Sequence, residues 1–319
     1  MITSLWYTSL YFIMTYDLAI IGGGPAGVAA GVYASRKRLK TIFLTESFGG
    51  QSVVSTGIEN WIGTTLISGE DLAKNLEAHL RAYAGDILEI RTGRRVSSVN
   101  KNGELFSITD SKNETYEAKT VLITTGSVRR RLDIPGADQF EHKGVTYCAS
   151  CDGPLFADMD VAVIGGGNAA FETAAQLLAY AKSVTLFTRG SDFRADPVTV
   201  KKVLENPKMK AHLNSQPVAI KGDKFISGLT YSENGEEKEL TVQGVFVEIG
   251  LIPSTDLVKN LVERNAVGQI VVDPRTQRAS MAGIWAAGDC TDGLYHQNNI
   301  ATGDAVKALE DIYLYLHAQ

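Results

Sequence analysis

The chain has 319 residues, of which 44% are hydrophobic and 21% charged, so it is long enough for two domains and has the composition of a folded, soluble protein. Its formal net charge of -5 argues against a general affinity for nucleic acid or an anionic membrane, because both are negatively charged. The three cysteines exclude the disulfide framework of a small secreted domain and favour a reducing, cytoplasmic compartment.

The first thirteen residues are apolar and aromatic and carry no Lys or Arg. Without a charged start this stretch does not resemble a secretory signal, and it is too short to span a bilayer. We interpret residues 1–13 as an N-terminal extension, with Met14 as an alternative start. A membrane anchor is the less favoured alternative.

The first predicted unit is a strand, a glycine-rich turn and a helix. An apolar run at 16–21 leads into Gly22, Gly24 and Gly27, which have the GxGxxG spacing, and then into an alanine-rich helical segment. Glycines at this spacing let the backbone turn tightly and let a pyrophosphate reach the helix N-terminus. Glu46, at the end of the next strand, is placed to bind a ribose. The pattern predicts a dinucleotide-binding βαβ unit; the alternative is a glycine turn that only packs helix on strand.

Two regions of alternating apolar and polar residues predict antiparallel structure. Residues 93–123 form short runs separated by turn residues, which is typical of a meander. Residues 225–250 carry an Asn-Gly turn signal at 234–235 and predict a hairpin. A strand at 283–287 and a helix at about 300–316 complete the chain.

The pattern of strand, turn and helix recurs near the middle of the chain. Gly165, Gly167 and Ala170 form a GxGxxA turn that lies 143 positions after the first turn. Two such turns predict two bound nucleotides and indicate FAD together with a nicotinamide nucleotide. The predicted fold class is therefore α/β, with two Rossmann-like dinucleotide-binding domains.

Cationic residues follow the next strand, where the adenosine ribose of a nucleotide would lie. Thr188, Arg189 and Gly190 end that strand, and Arg194 lies further on. A 2′-phosphate requires cations at this place, whereas NADH prefers an acidic side chain. Neither pattern is complete, and the alternative for these arginines is a solvated turn.

A CxxC pair is the candidate redox centre. Cys148 and Cys151 have the spacing of a disulfide in a tight turn or at a helix start, and Asp152 follows them directly. Asp152 has the right type and position to move a proton to or from a departing thiolate, although it is equally suited to an N-cap. A zinc site would need four ligands, normally from a second CxxC or a His pair at close spacing. The remaining cysteine, Cys290, has no such companion, so we predict no metal. Inert buried thiols are the other alternative, and the one we favour for Cys290.

A Gly-Asp pair follows the last apolar strand. Asp289, directly after Gly288, is placed to bind the hydroxyl groups of a flavin's ribityl chain. By itself such a pair is also a common turn.

The order of these motifs resembles the low-molecular-weight thioredoxin reductase family, from about Thr15 to the end of the chain. The matching segments are GGGPAG at 22–27, GGQ at 49–51, ENW at 59–61, CASCDG at 148–153, GGGNAA at 165–170, GDC at 288–290 and HQNNIATG at 296–303. The resemblance implies three-layer ββα domains, the second inserted in the first. The implied FAD-binding domain is 14–128 and 254–319, and the implied NAD(P)H-binding domain, which carries the CxxC, is 129–253.

The resemblance also implies functional residues. Around FAD these are Gly22, Gly24, Ala26, Gly27, Glu46, Gly50, Gln51, Asn60, Gly126, Gly288, Asp289, Gln297 and Ala301. Around NADP they are Gly165, Gly167, Asn168, Ala169, Ala170, Glu172, Arg189 and Arg194. The implied catalytic residues are Cys148, Cys151, nearest the isoalloxazine, and Asp152, the acid.

The expected electron donor and acceptor rest on two further features of the sequence. CDGPLF and GDCT are also similar to the flavoprotein subunit of alkyl hydroperoxide reductase, which carries an additional N-terminal disulfide-relay domain. Residues 1–13 are too short for that domain, so we expect the acceptor to be a thioredoxin or thioredoxin-like protein. One cation of the family's phosphate clamp is missing, because Gly190 stands where an arginine is usual. We expect NADPH as the donor, with NADH or another donor as alternatives.

The predicted function is thioredoxin reduction, with electrons passing from NADPH through FAD and the dithiol. We expect Cys151 to attack the partner's disulfide and Cys148 to resolve the mixed disulfide, although the sequence allows the reverse. Since the dithiol and the nicotinamide site share one domain, we expect that domain to rotate about hinges near Arg129 and Pro253. The resemblance implies a homodimer. The alternatives are a flavin-dependent dithiol oxidase or NAD(P)H oxidase, with oxygen as acceptor, and a non-enzymatic redox or nucleotide sensor.

Overall fold

The computed structural model of the protein describes residues 14–55 and 57–318, except for the side chain of Cys151. The predicted N-terminal extension, residues 1–13, lies outside the described residues. The chain divides into two compact units. The first unit extends to Val128 and resumes at Ile252, and the inserted unit is Arg129–Leu251.

Strands and helices form both units. The strands are β1 (Thr15–Ile21), β2 (Thr41–Leu44), β3 (Leu88–Arg91), β4 (Val96–Asn102), β5 (Leu105–Asp110), β6 (Thr115–Ile123), β7 (Ser127–Arg129), β8 (Val145–Thr146), β9 (Asp160–Ile164), β10 (Ser183–Phe187), β11 (Met209–His212), β12 (Ser215–Gly222), β13 (Ile226–Glu233), β14 (Glu236–Leu240), β15 (Gly244–Val247), β16 (Leu251–Pro253) and β17 (Ile284–Ala286). The helices are α1 (Pro25–Arg36), α2 (Gly69–Ala84), α3 (Ala149–Asp152), α4 (Asn168–Leu177), α5 (Pro197–Leu204) and α6 (Asn298–His317). The final strand and the final helix lie where the sequence predicted them.

The main sheet of the first unit joins a parallel part to an antiparallel meander. Its strand order is β3-β2-β1-β6-β5-β4, and β17 also pairs with β6. The pairs among β1, β2, β3, β6 and β17 are parallel, whereas β4, β5 and β6 pair antiparallel. The predicted parallel sheet and the predicted meander are both confirmed. β6 belongs to both, because it pairs with β1 along one edge and with β5 and β17 along the other.

The two faces of this sheet pack into two separate cores. On one face, Leu18 and Ile20 of β1 pack with the apolar sides of α1, α2 and α6. On the other face, Ala19 and Ile21 pack with residues of the meander, including Phe106. Because successive side chains of a strand point to opposite faces, β1 contributes to both cores. The result is the three-layer arrangement that the resemblance implied.

The inserted unit contains one parallel and one antiparallel sheet. The parallel sheet has the strand order β11-β10-β9-β15-β8, and Phe171 and Leu177 of α4 are buried against it. The antiparallel sheet, β12-β13-β14, turns between its last two strands at Asn234 and Gly235, whose φ angles are 51° and 89°. A two-residue hairpin turn of this kind requires positive φ at both positions. The predicted Asn-Gly hairpin is confirmed.

The region predicted as one hairpin, 225–250, also contains a strand of the other sheet. Only β13 and β14 form the hairpin. β15 instead lies in the parallel sheet between β9 and β8, and all four of its residues are buried. A strand that is buried on both faces loses the alternation of polar and apolar residues, which explains why periodicity assigned β15 wrongly.

Two short strands connect the units. β7 and β16 pair with each other in a two-stranded ribbon. Arg129 and Pro253, near which hinges were predicted, are the last residues of these paired strands, and the hinges themselves stay a prediction.

Candidate active site

The first glycine turn, between β1 and α1, leaves no room for larger residues. Gly22 has a φ of +123°, and a Cβ atom there would collide with the carbonyl oxygen of Thr124, just after β6. A Cβ atom on Gly27 would collide with the carbonyl oxygen of Gly22. Both positions therefore require glycine, as the spacing predicted.

The N-terminus of α1 is open. Gly24 is the N-cap residue, no side chain caps the helix, and its first turn contains no acidic residue. The nearest atom to a Cβ added on Gly24 would be the Cα of Gly50, at 4.0 Å. Free backbone N–H groups and the positive end of the helix dipole make this space suitable for an anion. The residues present thus fit the pyrophosphate of a dinucleotide.

Small residues from distant parts of the sequence meet beside this turn. A Cβ added on Gly288 would lie 3.1 Å from the Cβ of Ala301 on α6 and 3.4 Å from that of Ala26 on α1. The structure therefore brings these three predicted flavin residues together. Glu46 is exposed after β2, and Gly126, with a φ of +63°, has open space where a side chain would stand.

Amide side chains from separate motifs also meet in the first unit. Asn60 Nδ2 donates to Gln297 Oε1 at 3.1 Å, and Asn299 Nδ2 donates to the carbonyl oxygen of Asn60 at 2.7 Å. Ser52 Oγ donates to Asn298 Oδ1 at 3.0 Å. These bonds tie the start of α6 to the loop that follows β2. Amide groups both donate and accept, which suits the mixed polar edge of a flavin ring.

Two contacts of the predicted flavin residues involve residues that the sequence did not single out. Gln51 Nε2 donates to Ser127 Oγ at 3.2 Å. His296 Nδ1 lies 3.5 Å from Asp289 Oδ1 and has no hydrogen-bond partner among residues 14–55 and 57–318. The proximity of Asp289 raises the pKa of His296 above its usual range. The signal for His296 was its place at the start of the HQNNIATG motif.

The second glycine turn lies between β9 and α4. Gly165 has a φ of +149°, and a Cβ atom there would collide with the carbonyl oxygen of Glu248. Gly167 is the N-cap of α4, which has no side-chain cap and no acid in its first turn, and a Cβ atom on Gly167 would meet nothing within 4 Å. Ala170 takes the third position and is fully buried. This helix start has the same open form as the first, so it fits a second pyrophosphate.

The remaining predicted residues of this site surround the second turn. All are exposed: Asn168, Ala169, Glu172, Arg189 and Arg194. The backbone N–H of Arg194 donates to the carbonyl oxygen of Gly166 at 2.7 Å, which fixes the loop after β10 against the turn. No ion pair joins Arg189 or Arg194 to another residue in the described part of the chain. Both guanidinium groups are thus available to a phosphate.

The CxxC segment follows β8, at the carboxyl edge of the same parallel sheet. Cys148 precedes the single turn of α3 and takes part in a disulfide, while the side chain of Cys151 lies outside the description. The N–H of Asp152 donates to the carbonyl oxygen of Cys148 at 3.0 Å. Thr146 Oγ1 donates to the Asp152 carboxylate. Thr146 is buried, and no pattern in the sequence had singled it out.

Cys290 is separate from this centre. It is fully buried, with its sulfur 3.5 and 3.4 Å from the carbonyl oxygens of Ile123 and Ala287. Burial raises the pKa of its thiol to about 11, which suppresses the reactive thiolate. Among the described residues, no three His, Cys, Asp or Glu side chains are grouped to hold a metal ion. Nor does any helix of residues 14–55 and 57–318 combine the length and apolar character needed to cross a membrane.

The two open glycine turns and the cysteine motif lie within residues 16–305, and this whole range matches the sequence family described as pyridine nucleotide-disulphide oxidoreductase. The chain belongs to the pyridine nucleotide-disulphide oxidoreductase family. Membership makes it an oxidoreductase and a flavoprotein that uses a nicotinamide nucleotide, and it confirms the predicted α/β class with Rossmann-like domains.

Two named relatives are similar to most of this chain. It is 39% identical over 303 residues to the NADH dehydrogenase of Bacillus subtilis (strain 168). It is 37% identical over 304 residues to a subunit of the alkyl hydroperoxide reductase of Escherichia coli (strain K12). Each alignment covers 94% of this chain but 58% of the relative. The chain thus spans little more than half the length of these two relatives.

Solved structures of the family share the fold over nearly the full chain. The thioredoxin reductase from Streptococcus pyogenes MGAS5005 is 33% identical, with a TM-score of 0.86 over 96% of this chain and 100% of that one. The thioredoxin reductase from Giardia duodenalis is also 33% identical, with a TM-score of 0.88 over 96% of this chain and 99% of that one. The resemblance to thioredoxin reductases inferred from the motif order is confirmed.

Proposed function

We propose that the chain is an FAD-dependent protein-disulfide reductase of the thioredoxin reductase type. It takes electrons from NADPH and passes them through FAD and the Cys148/Cys151 dithiol to a thioredoxin-like protein. The observation that carries this proposal is the position of the CxxC: disulfide-bonded Cys148 follows β8 at the sheet edge where the second glycine turn opens. Ligands of parallel sheets bind at this edge.

In this proposal the first unit binds FAD and the inserted unit binds NADPH. The open start of α1 would hold the FAD pyrophosphate, with Asp289 at the ribityl hydroxyls and Asn60 and Gln297 at the ring. The open start of α4 would hold the NADPH pyrophosphate. The support for both is the same: each helix start offers free N–H groups, with space where Gly24 and Gly167 have no side chain.

The chain's own residues carry out the disulfide exchange. When bound, the flavin supplies two electrons that reduce the Cys148–Cys151 disulfide to a dithiol. We propose that the Cys151 thiolate attacks the partner's disulfide, which forms a mixed disulfide and releases one partner thiolate. Asp152 takes the proton that the Cys151 thiol loses and gives it to that thiolate. Cys148 then attacks the Cys151 sulfur of the mixed disulfide and its proton passes to the second partner thiolate, which restores the internal disulfide and frees the partner as a dithiol.

Thr146 should position Asp152 for this proton transfer. We expect Thr146→Val, which removes the donor to the Asp152 carboxylate, to lower the rate of partner reduction roughly tenfold, part of the ~10²–10⁴-fold that general acid–base catalysis contributes. Thr146→Ser keeps the hydroxyl and should restore the rate. Stopped-flow reduction of the flavin by NADPH should be equal in all three proteins. If Thr146→Ser reduces the partner as slowly as Thr146→Val, loss of the hydroxyl group is not the cause of the slower rate.

An anaerobic assay tests the whole proposal. Purified protein with FAD, NADPH and an oxidised thioredoxin should consume NADPH and produce an equal amount of thioredoxin dithiol, measured by free-thiol titration. NADPH consumption that requires oxygen and yields no dithiol would identify an oxidase instead. Absence of any turnover would favour a sensor.

A second candidate differs in donor and acceptor. The Bacillus subtilis relative is named an NADH dehydrogenase, and Gly190 stands where the thioredoxin reductase family usually has an arginine. Other relatives are named subunits of alkyl hydroperoxide reductases. These observations favour an NADH-dependent reductase whose acceptor is another subunit of such an enzyme. Running the anaerobic assay with NADH in place of NADPH distinguishes the two donors.

Arg189 and Arg194 should discriminate between the donors. A charge-assisted contact with a 2′-phosphate contributes about 1.5–3 kcal/mol, so we expect Arg189→Ala or Arg194→Ala to raise the KM for NADPH by roughly tenfold or more. The KM for NADH, which lacks that phosphate, should not change. Equal losses with both nucleotides would contradict a phosphate contact.

We also propose that the protein acts as a homodimer, as the thioredoxin reductase resemblance implies, and in the cytoplasm, as its three cysteines favour. Light scattering coupled to size exclusion would give twice the mass of one chain.

A further inference from the structure

Glu248 is a carboxyl group beside the second glycine turn that the proposed disulfide exchange does not use. It follows β15, whose last residue, Val247, pairs with Ile164 of β9. The N–H of Glu248 donates to the carbonyl oxygen of Ile164 at 2.8 Å, and its own carbonyl oxygen borders the space beside Gly165. Glu248 therefore lies at the carboxyl edge of the sheet, next to the start of α4.

The side chain of Glu248 is half-buried and has one hydrogen-bond donor. Buried Thr173 of α4 donates from Oγ1 to Glu248 Oε1 at 2.8 Å, and no residue in the described ranges donates to Oε2. Burial raises the pKa of Glu248 to about 7, against the opposing effects of the Thr173 hydrogen bond and of the charge on Arg129. The charge on Glu172 adds to the rise. Glu248 thus changes its charge near neutral pH, with one oxygen free.

The strand order shows which half of a dinucleotide passes Glu248. With the pyrophosphate at the start of α4, the adenosine half extends toward β10, which Arg189 follows. The nicotinamide half extends to the other side of β9, over the carboxyl ends of β15 and β8. Glu248 follows the first of these strands, and the CxxC follows the second.

We propose that the ionised Glu248 carboxylate contacts the nicotinamide end of the bound nucleotide and favours its oxidised form. The oxidised ring is a cation and the reduced ring is neutral, so a nearby carboxylate stabilises the oxidised nucleotide selectively. The free Oε2 is able to accept a hydrogen bond from the carboxamide N–H. This inference rests on the proposed function, because it requires a dinucleotide at the second turn.

The inference makes the affinity for NADP⁺ depend on pH. Glu248 is mostly ionised at pH 8, whereas only about a tenth of it is ionised one unit below its pKa. NADP⁺ binding should therefore weaken by up to about tenfold between pH 8 and pH 6 through this group. NADPH binding should change less. The 2′-phosphate of NADP⁺ also titrates in this range. The measurement therefore needs a reference compound, a fragment that carries the same phosphate and lacks the nicotinamide ring.

The test compares wild type with Glu248→Gln by calorimetric titration of NADP⁺ and of 2′-phospho-ADP-ribose, which lacks the nicotinamide ring. At pH 8 we expect Glu248→Gln to bind NADP⁺ about tenfold more weakly and the fragment equally well. In Glu248→Gln, the affinity for NADP⁺ should no longer fall more between pH 8 and pH 6 than the affinity for the fragment does. Equal effects on NADP⁺ and the fragment, or no effect on either, would overturn the inference.

A second variant keeps the carboxyl group and moves its titration. Thr173→Val removes the hydrogen bond that lowers the pKa of Glu248, so the pH midpoint for NADP⁺ binding should move upward. A midpoint that stays in place would count against Glu248 even if Glu248→Gln fails to fold. A wild-type protein that binds neither NADP⁺ nor NAD⁺ would refute the proposed function itself. Normal wild-type binding with an unaffected Glu248→Gln refutes only this inference.

Discussion

Cys151→Ser is expected to abolish reduction of a protein disulfide, with a loss on the order of 10⁴-fold or more, the scale seen when a nucleophile is removed. A serine hydroxyl neither forms a disulfide nor attacks one at neutral pH. Flavin binding and flavin reduction by NADPH should be unchanged, because neither step uses the cysteine pair. Stopped-flow reduction of the flavin and thiol release from a thioredoxin substrate separate these two half-reactions.

Two matched variants sharpen this prediction. Cys148→Ser should be equally inactive in turnover but should trap a covalent mixed disulfide with the partner through Cys151, visible by mass spectrometry. If Cys151→Ser traps the partner instead, the two cysteine roles are reversed. Cys290→Ala should retain turnover, because that thiol is fully buried and its raised pKa keeps it protonated. Thioredoxin reduction that persists in Cys151→Ser would refute the redox assignment.

Replacing glycine with aspartate at each of the two helix starts should prevent the binding of one cofactor and leave the binding of the other intact. Gly24 and Gly167 both have extended backbones, with φ of -74° and -100°, so aspartate is tolerated at each. As an N-cap it also stabilises the free helix by a few tenths of a kcal/mol relative to glycine. A bound pyrophosphate, however, would face a second negative charge. We expect Gly24→Asp to purify without flavin, and Gly167→Asp to purify yellow but unreduced by NADPH.

Each of these variants is the control for the other, since the chemical change and the local geometry are matched. Dithionite should reduce the flavin of Gly167→Asp normally, and circular dichroism should show wild-type helix content in both proteins. A yellow Gly24→Asp protein, or a Gly167→Asp protein whose flavin NADPH still reduces at the wild-type rate, would show that the cofactors are assigned to the wrong units.

The similar proteins are all oxidoreductases by name, but their names differ in the reaction and in the acceptor. The solved structures are thioredoxin reductases, whereas the curated relatives are an NADH dehydrogenase and alkyl hydroperoxide reductase subunits. A shared fold carries different partners through small changes at its sites. Identification of the acceptor therefore depends on the mixed disulfide that Cys148→Ser is expected to trap.

The sequence by itself determined the local elements of this protein. The glycine spacing after two apolar strands predicted both open helix starts, because this spacing is a local feature of a strand-turn-helix unit: a Cβ atom on Gly27, for example, would collide with the carbonyl oxygen of Gly22 in the same turn. The Asn-Gly signal predicted the β13–β14 hairpin through its positive φ angles. The order of the motifs also predicted the family, which the match over residues 16–305 confirms.

Only the tertiary structure decided which distant residues meet. Asn60 and Gln297 are 237 positions apart, and Thr173 and Glu248 are 75 apart. β15 could not be assigned from its own residues, because a strand that is buried on both faces has no alternating pattern. Strand order depends on how all the apolar surfaces of a unit are buried together, which no local window of sequence contains. For this reason the sequence could not predict that Glu248 is a neighbour of the nucleotide turn, because this depends on the pairing of β15 with β9.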